Sequence, residues 1–302
     1  VLEYFEHMNE CIRLIVEKFA MFLRHCWPIV LSLAVAACHW GSGLQAVNGA
    51  AAVASAVTLD QLCSGQAHIV DLTYALNEQN AYWPAPNYEP FRLKTIATLE
   101  LNGVLSKALS CPEHLGTHLD APNHFEKNQP SVDQMQPENL FAPGVVIDVA
   151  MQVSADADYQ VTVKDLTDWE QQHGRIPDGA VVLLHTGWGE FWKNFMRYKN
   201  QDVMGKLHFP GYSPDAARWL VKERQVKGIG IDTLSMDPGL SKDFQIHHIV
   251  NSAGRFGLEN VAQLDKLPPR GFHLVIAPIK IESGSGGPTR IFAILPGKIE
   301  QK

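Results

Sequence analysis

Four side chains able to bind a metal ion or move a proton fall in one short segment, His114, His118, Asp120 and His124 of HLGTHLDAPNH. In extended backbone, side chains alternate faces, so His114, His118 and Asp120 point the same way. A helix would keep His114 and His118 together but turn Asp120 to the other side. Gly116 weakens a helix here, and Pro122 ends either element. The spacing therefore predicts a strand or extended turn that presents two imidazoles and a carboxylate together. Such a set suits a borderline ion such as zinc or manganese. The competing reading is a solvated loop in which Asp120 caps a turn. Three histidines and an aspartate at same-face spacing, between Gly and Pro, weigh against it.

The segment resembles the pattern His-x-Gly-Thr-His-x-Asp-x-Pro-x-His of the metal-dependent hydrolases of the cyclase family, which includes bacterial kynurenine formamidase and isatin hydrolase. Its fixed positions are filled by His114, Gly116, Thr117, His118, Asp120, Pro122 and His124. The resemblance runs from about Ile69 to Leu295. In two-metal members a His twelve residues before a Glu completes the site. HHIVNSAGRFGLE offers His247 and Glu259 at that spacing, with His248 as the rejected neighbour. The resemblance implies that His114, His118 and Asp120 hold one ion, and that Asp120, Glu259 and His247 hold a second. It implies a cofactor of one or two zinc or manganese ions, an activated water, and His124 as proton donor and acceptor. Thr117 would orient the loop. The activity implied is hydrolysis of a C–N bond in a small aryl or cyclic amide, as in isatin. The alternative is an arylformamidase acting on N-formylkynurenine. A reading from another class is a non-enzymatic periplasmic metal- or ligand-binding protein; a storage site has no use for the proton shuttle His124 would provide.

The elements that must position these groups read as an α/β alternation. Strands are expected at His68–Leu72, Gly144–Ala150, Ala180–His185 and Gly228–Asp232, then in LVIAPIKI and RIFAIL. Helices are expected at Thr162–Gln171 and at Ser213–Glu223, the latter with Ser213 as N-cap and Pro214 in the first helical position. The resemblance implies more: a single α/β domain of swivelling β/β/α type, with a mixed sheet and flanking helices. AYWPAPNYEPF reads as an ordered loop, and its Trp83 is a candidate substrate-binding wall. HTGWGEFW follows a strand and reads as either site border or structural. ESGSGGP is Gly-rich but has no phosphate-cradle spacing, and reads as a tight loop near the site or a subunit contact.

With 302 residues, 46% of them hydrophobic, the chain can build a real core. A net charge of −7 with no basic run argues against nucleic acid as a partner. Met21–Cys38 has the layout of an export signal, and Val35–Cys38 resembles a lipobox with Cys38 as lipid anchor. The expected division is therefore an N-terminal extension over 1–57, ending in an Ala-rich linker, and a hydrolase domain over 58–302. A periplasmic or secreted location follows. Cys63 and Cys111 are either one disulfide or two free thiols. A homodimer is expected from the resemblance and from the prevalence of symmetric dimers.

Overall fold

The computed structural model describes residues 59–297. The extension over 1–57, with its export signal and Cys38, lies outside the described residues. In chain order the strands are β1 (Ala67–Asp71), β2 (Arg92–Ala97), β3 (Ser106–Ser110), β4 (His118–Asp120), β5 (Phe141–Asp148), β6 (Gln160–Val161), β7 (Val181–His185), β8 (Gly211–Tyr212), β9 (Gly228–Ile231), β10 (Phe256–Glu259), β11 (Phe272–Pro278) and β12 (Gly286–Pro296). The α-helices are α1 (Leu59–Cys63), α2 (Leu99–Asn102), α3 (Ala150–Ala155), α4 (Val163–His173), α5 (Phe195–Lys199), α6 (Pro214–Glu223) and α7 (Gln245–Ser252).

Seven strands form a ring, β4–β12–β11–β5–β7–β9–β10 and back to β4, while β1 adds to β12. The run β5–β7–β9–β10 is parallel and the remaining pairs are antiparallel. Closure depends on the length of β12. Along one edge Gly286–Pro288 pair with β4 and Phe292–Pro296 with β1, while β11 holds the other edge. The α/β class expected from the sequence and the mixed sheet implied by the resemblance both hold. Closure into a barrel-like ring comes from long-range pairing that no local pattern encodes.

Alternation within the parallel strands separates two apolar cores. Val145, Ile147, Val182, Leu184, Ile229 and Ile231 face helices α4, α6 and α7 through Leu166, Leu220 and Val250. Val146, Val181 and Leu183 face the inside of the ring with Leu119, Leu258, Phe272 and Ile291. The inside is narrow. A Cβ on Gly230 would stand 2.6 Å from Leu183 Cδ2 and 3.1 Å from Leu258 Cβ, so any side chain there would force Leu183 to shift.

Helix starts follow their caps. In α4, Thr162 Oγ1 accepts from Asp165 N–H, while Thr162 N–H donates to Asp165 Oδ2. In α6, Ser213 Oγ accepts from Ala216 N–H with Pro214 in the first turn. Helix α7 has no such local cap. The N–H groups of Ile246 and His247 in its first turn are met by the Asp237 side chain, which ties the helix to the site described below.

Strands β2 and β3 pair only with each other. Leu93, Ile96 and Leu109 on them, and Leu101 and Leu105 between them, are exposed. Cys63 is exposed, Cys111 is half-buried and both are free thiols, so the disulfide alternative is overturned. Among the described residues no helix is long and apolar enough to cross a membrane.

Candidate metal centre

Only His118–Asp120 of the first motif is a strand; His114 approaches from the turn before it, where Gly116 takes φ +66°. That turn aims the Gly116 carbonyl at His118 Nδ1, 2.8 Å away, and at Asn260 Nδ2, 2.9 Å away. Thr117 locks the turn as expected, donating to Asn260 O at 2.7 Å and accepting from Tyr74 N–H at 3.0 Å. His118 and Asp120 then project from one face of β4. His114 joins them with Nδ1 2.6 Å from Asp120 Oδ1.

The second segment is a helix followed by a strand, not one extended run. His247 sits in the first turn of α7, and Glu259 ends β10 directly opposite His118. Asp237 is the hinge of this half. Its carboxylate accepts from Ile246 N–H at 3.0 Å, His247 N–H at 3.1 Å and His247 Nδ1 at 2.6 Å. It therefore caps the helix and points His247 Nε2 inward, 3.3 Å from Glu259 Oε1 and 3.7 Å from Asp120 Oδ2. His248 turns outward to Glu126.

Three histidines thus share one arrangement. One ring nitrogen of each meets a protein partner: Gly116 O for His118, Asp237 for His247, and Ser285 Oγ at 2.9 Å for His114. The other nitrogen converges on Asp120. Supporting partners of this kind fix the tautomer of metal-ligating imidazoles. His118 Nε2 and Asp120 Oδ2 are buried and have no hydrogen bond. Buried polar atoms without partners are rare and costly. His114, His118 and Asp120 lie close enough for one ion, and so do Asp120, His124 and His247. The donor set fits a divalent cation with mixed nitrogen and oxygen ligands.

Charge points the same way. Burial would push the His118 imidazole down, but Asp120, and then Glu259, outweigh it and hold it up at about 10. His247 is likewise raised, against burial, by Asp120, Asp237 and Glu259. Burial and the adjacent Asp120 push the Glu259 carboxyl up, yet contacts with His118 and His247 leave it lowered. Two facing carboxylates thus create a centre that demands positive charge. His124 behaves oppositely. Burial first, with help from His114 and His247, pushes it down to about 3, so its ring is neutral at pH 7. It stacks on His114 at 3.7 Å.

Above the centre lies a cavity of about 220 Å³. Its polar floor is His114, His118, His124, His247 and Glu259, and its walls include Tyr82, Trp83, Phe125 and Phe244. Phe125 packs against His247 at 4.3 Å and against Phe244 at 5.4 Å. Phe244 takes φ +47°, an unusual angle for a bulky side chain. The volume is below the ~300–1,000 Å³ of sites for drug-sized ligands, so the cavity suits a small planar molecule.

Residues 70–238, more than half of the chain, match the family described as "Putative cyclase". The chain belongs to this cyclase family. Isatin hydrolase of Roseibium aggregatum is 32% identical over 254 residues, covering 78% of this chain and 95% of that protein. Kynurenine formamidase of Bacillus cytotoxicus is 28% identical over 222 residues, covering 73% and 94%. Among solved structures, isatin hydrolase A from Ralstonia solanacearum superposes with a TM-score of 0.76 at 36% identity, covering 80% of this chain and 98% of that one. These relatives are hydrolases, which disfavours the non-enzymatic alternative.

Within this cyclase-family frame, the structure brings together every ligand candidate from the sequence and places Trp83 on the cavity wall. His124 stands beside Asp120 and His247, as near as a ligand. Trp188 is not in the cavity; it is buried and donates to Tyr198 O at 2.7 Å. Asp237, Glu113, Ser285, Phe125 and Phe244 are functional neighbours that sequence reading missed. Phe125 and Glu113 flank the motif itself, and Asp237 precedes Pro-Gly, a turn signal. Ser285 lies in the ESGSGGP loop, which stands beside the site as one of its two sequence readings expected, while nothing local marks Phe244.

Proposed function

We propose that the chain hydrolyses the C–N bond of a small cyclic or aryl amide, with isatin the first substrate to test. The observation that carries this reading is the convergence of three imidazoles and two carboxylates, His114, His118, His247, Asp120 and Glu259, at the base of a small aromatic cavity. His114, His118 and Asp120 would hold a divalent ion, zinc or manganese. Asp120, His247 and Glu259 would hold a second ion and leave the His124 ring free. Such an ion supplies positive charge that polarises a carbonyl and acidifies water. The remaining work falls to the chain's own side chains. Trp83, Phe125 and Phe244 sandwich a planar ring and exclude water. Hydrolysis adds water across the C–N bond, so the nitrogen must leave with a proton. His124, neutral and beside the floor, accepts a proton and delivers it to that nitrogen.

The test is hydrolysis of isatin and of N-formylkynurenine by chelated protein, before and after zinc or manganese is restored. Metal-restored turnover of isatin supports the reading; turnover of N-formylkynurenine alone moves the chain to the arylformamidase alternative. Bound metal with no turnover of either removes the proposed substrate class.

We propose a homodimer as the working unit. The β2–β3 hairpin supports it, because an isolated two-stranded hairpin is marginal in water and this one exposes apolar side chains. Arg92, Lys94 and Lys107 make it basic in a chain of net charge −7, which suits a second copy. Light scattering of the wild type and of Ile96→Asp tests this, and a monomeric wild type rejects it. Export and lipid attachment at Cys38 rest on the sequence alone, and loss of fatty-acid labelling in Cys38→Ala is the expected result.

A further inference from the structure

We propose that Glu113 and Ser285 act as one unit that decides which ring nitrogen of His114 faces the cation site, an inference that rests on the metal reading above. His118 and His247 donate a ring N–H to acceptors that have no proton of their own to give, the Gly116 carbonyl and the Asp237 carboxylate. Each partner therefore dictates the tautomer. The partner of His114 is a hydroxyl, which can either donate or accept. Left to itself, Ser285 permits both tautomers of His114.

Glu113 removes that freedom. Its Oε2 accepts the Ser285 hydroxyl proton at 2.5 Å and the Ser285 N–H at 3.0 Å. With its proton committed, the hydroxyl offers only a lone pair to His114 Nε2. His114 then carries its hydrogen on Nε2, and Nδ1 presents a lone pair toward Asp120 Oδ1, 2.6 Å away. Two lone pairs at that distance repel unless something positive lies between them. The opposite tautomer would aim N–H at Asp120 and remove His114 as a ligand.

The Gly-rich loop has a purpose in this arrangement. Ala121 N–H donates to Ser285 O at 2.9 Å, and Val132 N–H to Gly284 O at 3.0 Å. Ser283 N–H donates to Asp133 Oδ1 at 3.0 Å. These bonds hold the Ser285 hydroxyl in place. Next to it, Gly286 must lack a side chain: a Cβ there would lie 2.7 Å from His114 Cε1. ESGSGGP thus presents one hydroxyl and clears space for one imidazole.

The test is zinc affinity of the full chain, stripped of metal and titrated against a competing chelator, for Glu113→Ala, Ser285→Ala, the double variant and Glu113→Gln. Each alanine variant is expected to bind zinc about 10–100-fold more weakly. The double variant is expected to lose no more than either single one, as for members of one chain. Glu113→Gln keeps an acceptor for the hydroxyl and is expected to recover most of the loss. Wild-type affinity in the alanine variants, losses that multiply in the double variant, or no recovery with Gln overturns the proposal. Lowered melting of the metal-free alanine variants with unchanged zinc affinity also overturns it, since that marks plain structural support. A wild type that binds no divalent ion instead defeats the metal reading itself.

Discussion

Glu259 stands directly opposite His118 in the ladder between β10 and β4, with Glu259 Oε2 3.4 Å from His118 Nε2. Directly paired residues project from the same face of a sheet, so this one register brings two distant motifs into one centre. At the other end of β4, Asp120 is opposed by Gly257 on β10 and by Gly286 on β12. No side chain from either neighbour crowds the carboxylate, and the space beside it is left to three imidazoles.

The two glycines should differ in tolerance. A Cβ at Gly286 would lie 2.3 Å from the Leu119 carbonyl oxygen, which is backbone inside a paired strand. At Gly257 the nearest atom is Met236 Cε, the far end of a flexible side chain, with Asp120 Oδ2 at 2.9 Å. Gly286→Ala is expected to cost stability at the upper end of the ~1–3 kcal/mol range for overpacking, and Gly257→Ala less. Urea unfolding of both variants checks this, and an equal or reversed order counts against it.

Asp120→Asn removes the charge shared by both candidate ligand groups while keeping the side chain's shape. Loss of bound metal and of metal-dependent turnover is expected, with the far-ultraviolet dichroism unchanged. A variant that keeps full metal content and activity removes Asp120 from the centre.

Asp237→Asn acts through His247. A carboxylate behind a ligating imidazole fixes the ring and raises its basicity, so its loss is expected to weaken metal affinity about 10–100-fold. The amide keeps one oxygen to cap α7, so the loss of cap stability is expected to stay below the ~1 kcal/mol of removing the capping group. Chelator competition separates the two effects; unchanged affinity in a destabilised protein leaves Asp237 only a cap.

The metal-free protein should lose stability toward alkaline pH. His118, held at about 10, and His247, also raised, have folded values above the unfolded value of ~6.5. Their contribution is complete below about pH 6.5 and disappears as pH climbs toward 10. Asp120 and Glu259 are lowered, so theirs is present above the ordinary carboxylate range and lost on further acidification. Melting of chelated protein is expected to fall between pH 6 and pH 9. Added zinc should abolish most of that fall, because the ion takes the place of the protons. A flat profile without metal contradicts the charge balance described for the centre.

Trp83→Ala opens one wall of the cavity without touching its floor. Loss of an aromatic contact worth about 0.5–1.5 kcal/mol should raise KM up to about tenfold for an aryl substrate. A matching fall in kcat is not expected, since the ring contact serves substrate and transition state alike. A kcat effect with unchanged KM would falsify the role of Trp83 as a binding wall.

Much of the centre was legible in the chain because its ligands are short-range. HLGTHLDAPNH carries its own turn glycine and its own strand, so the nearness of His114, His118 and Asp120 is a local property. The helices at Thr162 and Ser213 were legible for the same reason, through caps within three residues of the groups they serve. The spacing of His247 and Glu259 was visible too, but not its cause, which is a helix turn followed by a strand.

What the amino-acid order determined by itself, then, is the ligand chemistry, the capped helices and the apolar strands, all set by bonds and periodicities spanning a few residues. The tertiary structure alone decided that the sheet closes through β12, that Asp237 aims His247, and that Ser285 and Glu113 meet His114. Ring closure and the Ser285 contacts join residues far apart in sequence, and the Asp237 contact spans a turn between two elements. These relationships exist only after the ring has closed, because neither partner carries a local signal for the other.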